Sequence, residues 1–484
     1  MSLLRSLAAN MAAIVSGKAA TAVAGLLTIM VLTRHLGPTE FGYYRTVLTY
    51  CAFAAVLADC GLYMINLREM SRAGAEGAPR VAGNALALRF VSTGGILIAA
   101  AAFAWATPYD LTVKWGVLIG AAIYTCLQAS DFLISVFQSV LKQGRNALAE
   151  VTGAVTTLAG VWVLALTTGA GALPMLGATL AGAALAMGIS WRLAHRLVPF
   201  RLRFEVGVWR QFLVAGLPIA GAQILGMAML RGDSLLLSLY QPAADVGLYG
   251  VPSKLFELAT SIPYQFAGLM MPALTAGARN TPPEFRQVLR NAVDAGALYG
   301  VGVILALTLF APQILTLMAG AEFAAGAPAL AIIAFAICLA GVTHILRFAL
   351  VACERPRFVL IGDSVACACA FIAYFALIPR YSFIGAAAGT VAAEVAALTC
   401  MLWGLRRARR PLPSFVNPLK AIFSGAVAFG AMVLLTRSFE LPWLVTLVIG
   451  GAIYVGGLAL TRAIPRELIL TVLRRRRVAY QGSA

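Results

Sequence analysis

Several ionisable side chains lie inside long apolar stretches of this 484-residue chain. The cations are Lys18, Arg45, Arg89, Arg231, Lys254 and Arg347; the acids are Asp59, Asp131, Asp233, Glu257, Asp294, Asp363 and Glu394. A charge near the middle of a bilayer costs roughly 2.5–3.5 kcal/mol on insertion scales, so each group needs a partner, a route to water or a task. Some have a local explanation. Lys254 and Glu257 stand three apart and can pair on one helix. Lys18 with Asp59, and Arg89 with Asp131, are candidate structural bridges. Arg45, Arg89, Arg347 and Asp363 sit towards span ends, from which a side chain can snorkel to the surface. Arg231 and Asp233 are two apart and do not face each other on a helix, so each requires another partner. Covalent and metal chemistry find little footing. His35, His195 and His344 are scattered, and the eight cysteines include no CxxC. No GxxxxGK[ST] loop, HExxH helix or GxSxG elbow occurs. The cysteines read as small apolar packing residues, and no cofactor is expected.

The elements that must position these charges are membrane spans. The chain is 61% hydrophobic and only 12% charged, with a mean hydropathy of +0.87. Soluble domains carry about a quarter charged residues, so this surface must meet lipid. A span needs roughly 20 apolar residues. The apolar windows predict fourteen: 8–34, 41–65, 83–106, 115–139, 147–168, 173–194, 211–239, 247–275, 291–316, 327–352, 358–379, 383–404, 419–437 and 443–462. The expected fold is an all-α polytopic membrane protein. The N-terminal apolar run is too long for a cleaved signal, and Lys18 interrupts it.

The net charge of +18 does not indicate nucleic acid, because the positive residues sit in short connections between spans. One set of connections holds Arg68, Arg72, Arg80, Lys142, Arg145, Arg192, Arg196, Arg201, Arg203 and Arg210 in the first half. In the second half the same set holds Arg279, Arg286, Arg290, Arg355, Arg357, Arg406, Arg407, Arg409, Arg410 and Lys420. The alternate set holds little beyond Arg34, Lys114, Arg380 and Arg437. The bias places both termini in the cytoplasm. The tail run Arg474 to Arg477 suits contact with anionic membrane lipid.

The stretch LGPTEFGYY, residues 36–44, turns the chain between the first two spans. Its aromatics suit the membrane interface, and Glu40 suits the N-terminus of the helix that follows. A second copy occurs as QPAADVGLYG at 241–250. Both read Pro, a short gap, acid, apolar, Gly, any residue, Tyr. Six spans separate the copies, so the halves share one orientation. That predicts two parallel six-helix lobes related by an axis along the membrane normal. The expected divisions are 1–204 for the first lobe, 205–411 for the second and 412–484 for two further spans and the basic tail.

At these residues the sequence resembles Wzx-type polysaccharide flippases of the multidrug/oligosaccharidyl-lipid/polysaccharide exporter superfamily. The first hairpin, TRHLGPTEFGYYRTVLTYCAFAAVLADCGL, is similar to theirs. So are GDSLLLSLYQPAADVGLYGVPSKLFEL, with Asp233, Gly247, Tyr249 and Lys254, and AGAEFAAGAPAL at 319–330. The resemblance implies two lobes around a central cavity that opens alternately to each face of the bacterial inner membrane. It implies a cargo of oligosaccharide linked to undecaprenyl pyrophosphate, and possible association with polysaccharide assembly machinery. A pyrophosphate diester carries about two negative charges, which fixed Lys or Arg can hold in place of water. Lys18, Arg231, Lys254 and Arg45 are the candidate headgroup ligands. Asp59, Asp131, Asp233 and Glu257 are candidate coupling or structural charges for an unidentified ion, H+ or Na+. Pro218, Pro252 and Pro263 are candidate kinks for gating. Two alternatives stand beside this reading. One is a multidrug or cation antiporter of the same superfamily, whose cavity should favour acids. The other is a membrane polysaccharide polymerase or ligase, against which the short outer connections argue.

Overall fold

Lipid offers no hydrogen bonds, so a chain this apolar must satisfy its backbone within helices. The computed structural model does so; it describes residues 2–139, 144–280, 282–439 and 441–463. The helices are α1 (Ser2–Asp59), α2 (Leu62–Ala106), α3 (Leu111–Ser139), α4 (Gly144–Thr167), α5 (Ala172–Leu197), α6 (Val206–Tyr240), α7 (Ala243–Asn280), α8 (Pro282–Leu309), α9 (Ala311–Ala319), α10 (Ala327–Ala352), α11 (Pro356–Arg407), α12 (Val416–Phe439) and α13 (Trp443–Leu460). A 3-10 turn covers Ala321–Gly326, and no strand occurs among the described residues. Lys142 and the tail run Arg474 to Arg477 lie outside the described residues, as does the side chain of Pro218.

Among the described residues ten helices are long and apolar enough to cross a membrane. The number is eleven if the halves of α6, bent by 49° between Leu217 and Ile219, form one span. Two of the ten hold a pair of expected spans each. Gly37 (φ 66°) interrupts α1 and Ser382 (φ 50°) interrupts α11. Unbroken, the 58 residues of α1 would run about 87 Å, far beyond a hydrocarbon core of about 30 Å. Instead α11 folds back, which brings the Tyr374 hydroxyl within 3.2 Å of the Thr390 hydroxyl. The arms of α1 diverge in the same way. On the first, Gly17 packs on Ala147 at the start of α4, and His35 Nε2 lies 3.1 Å from the Ala170 carbonyl beyond its end. On the second, Tyr44 bonds to Thr179 of α5 at 3.0 Å.

The Gly37 break starts the second arm at Pro38, where a missing N–H costs nothing. Glu40 caps a neighbouring helix: its carboxylate accepts from the Ala172 N–H, at the start of α5, at 2.7 Å. Tyr44 is buried, not interfacial as expected, because α5 supplies its hydroxyl with a partner; Phe41 stacks beside it. The two copies of the repeated pattern touch reciprocally. A β-carbon on Gly42 would collide with the Ala243 carbonyl, and one on Gly247 with the Pro38 carbonyl. Both Pro38–Ala243 and Gly42–Gly247 are 205 residues apart in sequence. The glycine of the pattern is therefore a packing requirement.

The chain forms two compact units, Met1–Leu248 with Met318–Glu322, and Tyr249–Leu317 with Phe323–Ala484. In the first, Leu62, Leu86, Phe132, Phe137 and Phe212 belong to one buried cluster. The α4 and α5 backbones approach closely at Gly153 and Gly182, as small residues permit in membranes. The connection 198–205 is held to α2. The Glu205 N–H donates to Asn84 Oδ1 at 2.9 Å, Asn84 Nδ2 donates to Glu205 Oε1 at 3.0 Å, and Arg80 pairs with the same carboxylate. In the second unit α8, α10 and α11 share a core around Leu289, Ile345 and Met401. α12 and α13 pack on α8 through Val301, Leu305, Ala421 and Tyr454.

Two outcomes test this packing. Gly42→Leu should lower the melting temperature sharply or abolish folded yield, since overpacking of this kind costs about 1–3 kcal/mol or more. Gly25→Leu, where a β-carbon meets nothing within 4 Å, should leave both unchanged. The hydrogen bonds from Arg80 and Asn84 hold the Glu205 carboxyl down to a pKa of about 2. Its contribution is therefore complete above the ordinary carboxylate pKa and lost as pH falls through about 2. Glu205→Gln should therefore lower the thermal unfolding midpoint at pH 6, and its difference from wild type should shrink as pH falls towards 2.

Candidate functional site

In the first unit four helices surround a cavity of about 430 Å³ lined by Val56, Asp59, Tyr63, Arg89, Gln128, Asp131, Ile134, Gln223, Met227 and Leu230. Helical spacing accounts for the arrangement. Gln128, Asp131 and Ile134 are three apart on α3, and Gln223, Met227 and Leu230 share one face of α6. Asp59 ends α1. The chain then turns through Cys60 (φ 46°) and Gly61 (φ 71°). Glycine is needed at 61, where a β-carbon would stand 2.8 Å from the Gly216 carbonyl of α6.

The strongest electrostatic feature is an ion pair between Arg89 and Asp59, whose residues are 2% and 6% exposed. Arg89 Nη2 also donates to Gln128 Oε1 at 2.8 Å, and Gln128 Nε2 donates to the Ala55 carbonyl. A buried pair is tolerable only when such hydrogen bonds offset its desolvation. Asp131 is exposed to the cavity, close enough to Arg89 and Glu150 to feel both charges. This corrects three expectations. Asp59 pairs with Arg89 rather than Lys18, and Arg89 thus with Asp59 rather than Asp131, because the turn at 60–61 brings the end of α1 against α2. Arg89 does not snorkel, because its partner is buried with it.

The four proposed anion ligands are placed as follows. Lys18 is exposed on the first arm of α1 and has no ion pair among the described residues. Arg45 and Arg231 are half-buried, and both lie within electrostatic reach of the Tyr124 hydroxyl. The fold thus brings together two cations that are far apart in sequence. Lys254, in the second unit, pairs with Glu257 at 3.1 Å. Asp233 is buried, with Oδ1 accepting from the Ser234 N–H at 2.6 Å. α7 stays helical through Pro252 and Pro263, whereas α6 bends next to position 218.

Sequence reasoning missed one cluster. In the second unit Arg347 donates to Asp363 at 2.7 Å and lies 2.7 Å from His344 Nδ1. Arg347 and Asp363 were expected to snorkel, but their side chains are 20% and 23% exposed and pair with each other. Glu394 lies within their electrostatic range. The signal was available in the sequence: residues 347 and 363 flank the turn between α10 and α11 at similar depth.

The polysaccharide biosynthesis protein family matches residues 7–276, more than half of the chain. The chain belongs to this family. Among curated proteins no match was found. The fold is shared with solved transporters at low identity. A lipid II flippase, MurJ, in an inward closed conformation aligns with a TM-score of 0.78 at 14% identity, over 94% of this chain and 100% of that one. An inward-facing multidrug resistance MATE family transporter of the MOP superfamily aligns with a TM-score of 0.62 at 16% identity, over 80% and 94%. The Vibrio cholerae MATE transporter VcmN aligns with a TM-score of 0.53 at 16% identity, over 84% and 98%. This member of the polysaccharide biosynthesis protein family is therefore a polytopic helical membrane protein that shares its fold with those transporters.

The buried pair gives a direct test. Asp59→Asn or Arg89→Gln alone should destabilise the detergent-purified protein by about 3–5 kcal/mol, because each strands a buried charge. The double substitution should recover a large part of that loss. Additive losses in thermal unfolding would contradict the pairing.

Proposed function

We propose that this protein is a flippase that moves undecaprenyl-pyrophosphate-linked oligosaccharide from the cytoplasmic to the outer leaflet of the bacterial inner membrane. The carrying observation is the family match over 7–276, in a chain whose whole fold is like that of a lipid flippase. In this reading two lobes, 1–204 and 205–411, alternate access to the cargo, with both termini in the cytoplasm. Residues 412–484 are appended to them, and polysaccharide assembly machinery is a partner. Lys18, Arg231, Arg45 and Lys254 hold the pyrophosphate. Of these, Lys18 is the least committed elsewhere, while Lys254 shares its charge with Glu257. Opening to the outer face requires the Gly42–Ala243 and Gly247–Pro38 approaches to part.

One observation favours a second reading, a cation antiporter of the same superfamily. Arg89 is already paired with Asp59, which leaves Asp131 as a second carboxyl lining the same cavity. Asp131 is then the site for a cationic cargo or for the coupling ion.

Deletion of the gene should cause lipid-linked repeat units to accumulate on the cytoplasmic side and surface polysaccharide to fall. Loss of one charge-assisted contact, worth about 1.5–3 kcal/mol, predicts a roughly ten- to hundred-fold loss of export for Lys18→Glu or Arg231→Glu. The flippase reading fails if those variants export normally while drug resistance depends on the protein and on Asp131.

A further inference from the structure

The second unit contains a cavity that plays no part in the proposed transport site. It measures about 620 Å³ and is lined by Pro283, Arg286, Gln287 and Arg290 of α8 and by Pro411, Leu412 and Ser414 of the α11–α12 connection. The α8 residues recur at three- and four-residue spacing and so form one stripe. Arg286 is exposed and makes no hydrogen bond or ion pair among the described residues. Arg290 is half-buried, with Nε 3.8 Å from Asp294. That acid lies a turn deeper, is fully buried and accepts from Asn417 Nδ2 at 2.6 Å. It therefore neutralises Arg290 only in part and does not reach Arg286.

The opposite wall is anchored. Arg410 donates to the Ala278 carbonyl at 3.1 Å and stands 5.8 Å over the Phe285 ring, which fixes the chain just before Pro411. Ser414 Oγ accepts weakly from the Val416 N–H at 3.5 Å and keeps its own proton to donate. Arg406, Arg407, Arg409 and Lys420 lie nearby in sequence, in the strongly basic set of connections. The cleft thus combines two guanidiniums, an amide and a hydroxyl with an apolar edge of Pro283, Pro411 and Leu412, at the ends of apolar helices.

We propose that this cleft binds a phosphate group, that of an anionic phospholipid of the cytoplasmic leaflet. Arg286 grips the phosphate, and Arg290, Gln287 and Ser414 complete its coordination. Guanidinium forks match phosphate oxygens, and basic pockets between spans on the cytoplasmic side are suited to anionic headgroups. The apolar edge accommodates the start of the acyl chains, which a free anion would leave uncovered.

The test uses the purified full-length chain in detergent and its thermal unfolding midpoint. Phosphatidylglycerol should raise the midpoint and phosphatidylcholine should not. Arg286→Gln should lose about half or more of that rise. Arg192→Gln, an exposed cation of the first unit, should keep all of it. If Arg286→Gln does not fold, Arg286→Lys and Ser414→Ala provide the same comparison. A rise that is equal in wild type and these variants, or equal for the two lipids, overturns the site. A rise with inorganic phosphate alone that depends on Arg286 overturns the lipid as the source of the phosphate.

Discussion

Lipid gives a buried polar group nothing to bond to, and most of this structure follows from that constraint. The backbone closes its hydrogen bonds within helices, and each hairpin turns with few residues to spare. Gly37 takes a left-handed conformation and Pro38 begins the next arm without an N–H to satisfy. Ser382 does the corresponding task in α11, and the tyrosine–threonine bond between its arms fastens them.

The same constraint organises the charges. Arg89, Asp59 and Gln128 form one linked set, although Asp59 Oδ2 and Arg89 Nε are buried without a hydrogen-bond partner among the described residues. Arg347, Asp363 and His344 form a second linked set in the other unit, with Arg347 Nε unpartnered among the described residues. Such sets are costly to form and costlier to break, because a single loss leaves an unpaired ion in a medium of low dielectric. Asp131 lines the first-unit cavity beside the Asp59–Arg89 pair without joining it, and Arg45 and Arg231 share a neighbourhood around Tyr124.

Close backbone approach supplies much of the cohesion that hydrophobic burial supplies in water. Gly153 and Gly182 bring α4 to α5, and Gly296 and Gly341 bring α8 to α10. Gly42 and Gly247 do the same between the two copies of the repeated pattern. A side chain at any of these places would separate backbones now in contact, so the glycines act through the volume they lack.

The sequence by itself determined the class of fold, the apolar segments and the asymmetry of basic connections, because hydropathy and charge are local properties averaged over a window. It also disclosed the repeat, since Pro38, Gly42 and Tyr44 recur as Pro242, Gly247 and Tyr249. Tertiary structure alone decided the partners. Asp59 could have met Lys18 or Arg89; the turn at Cys60 and Gly61, which must pass under α6, chose Arg89. Tyr44 looked interfacial until α5 supplied Thr179, and Glu40 looked like a cap for its own helix until the start of α5 came within reach. Arg347 and Asp363 looked able to reach water until the turn between α10 and α11 set them face to face. Pairing across helices depends on rotation and depth to within a few ångströms, and a linear pattern of residues does not contain those two quantities.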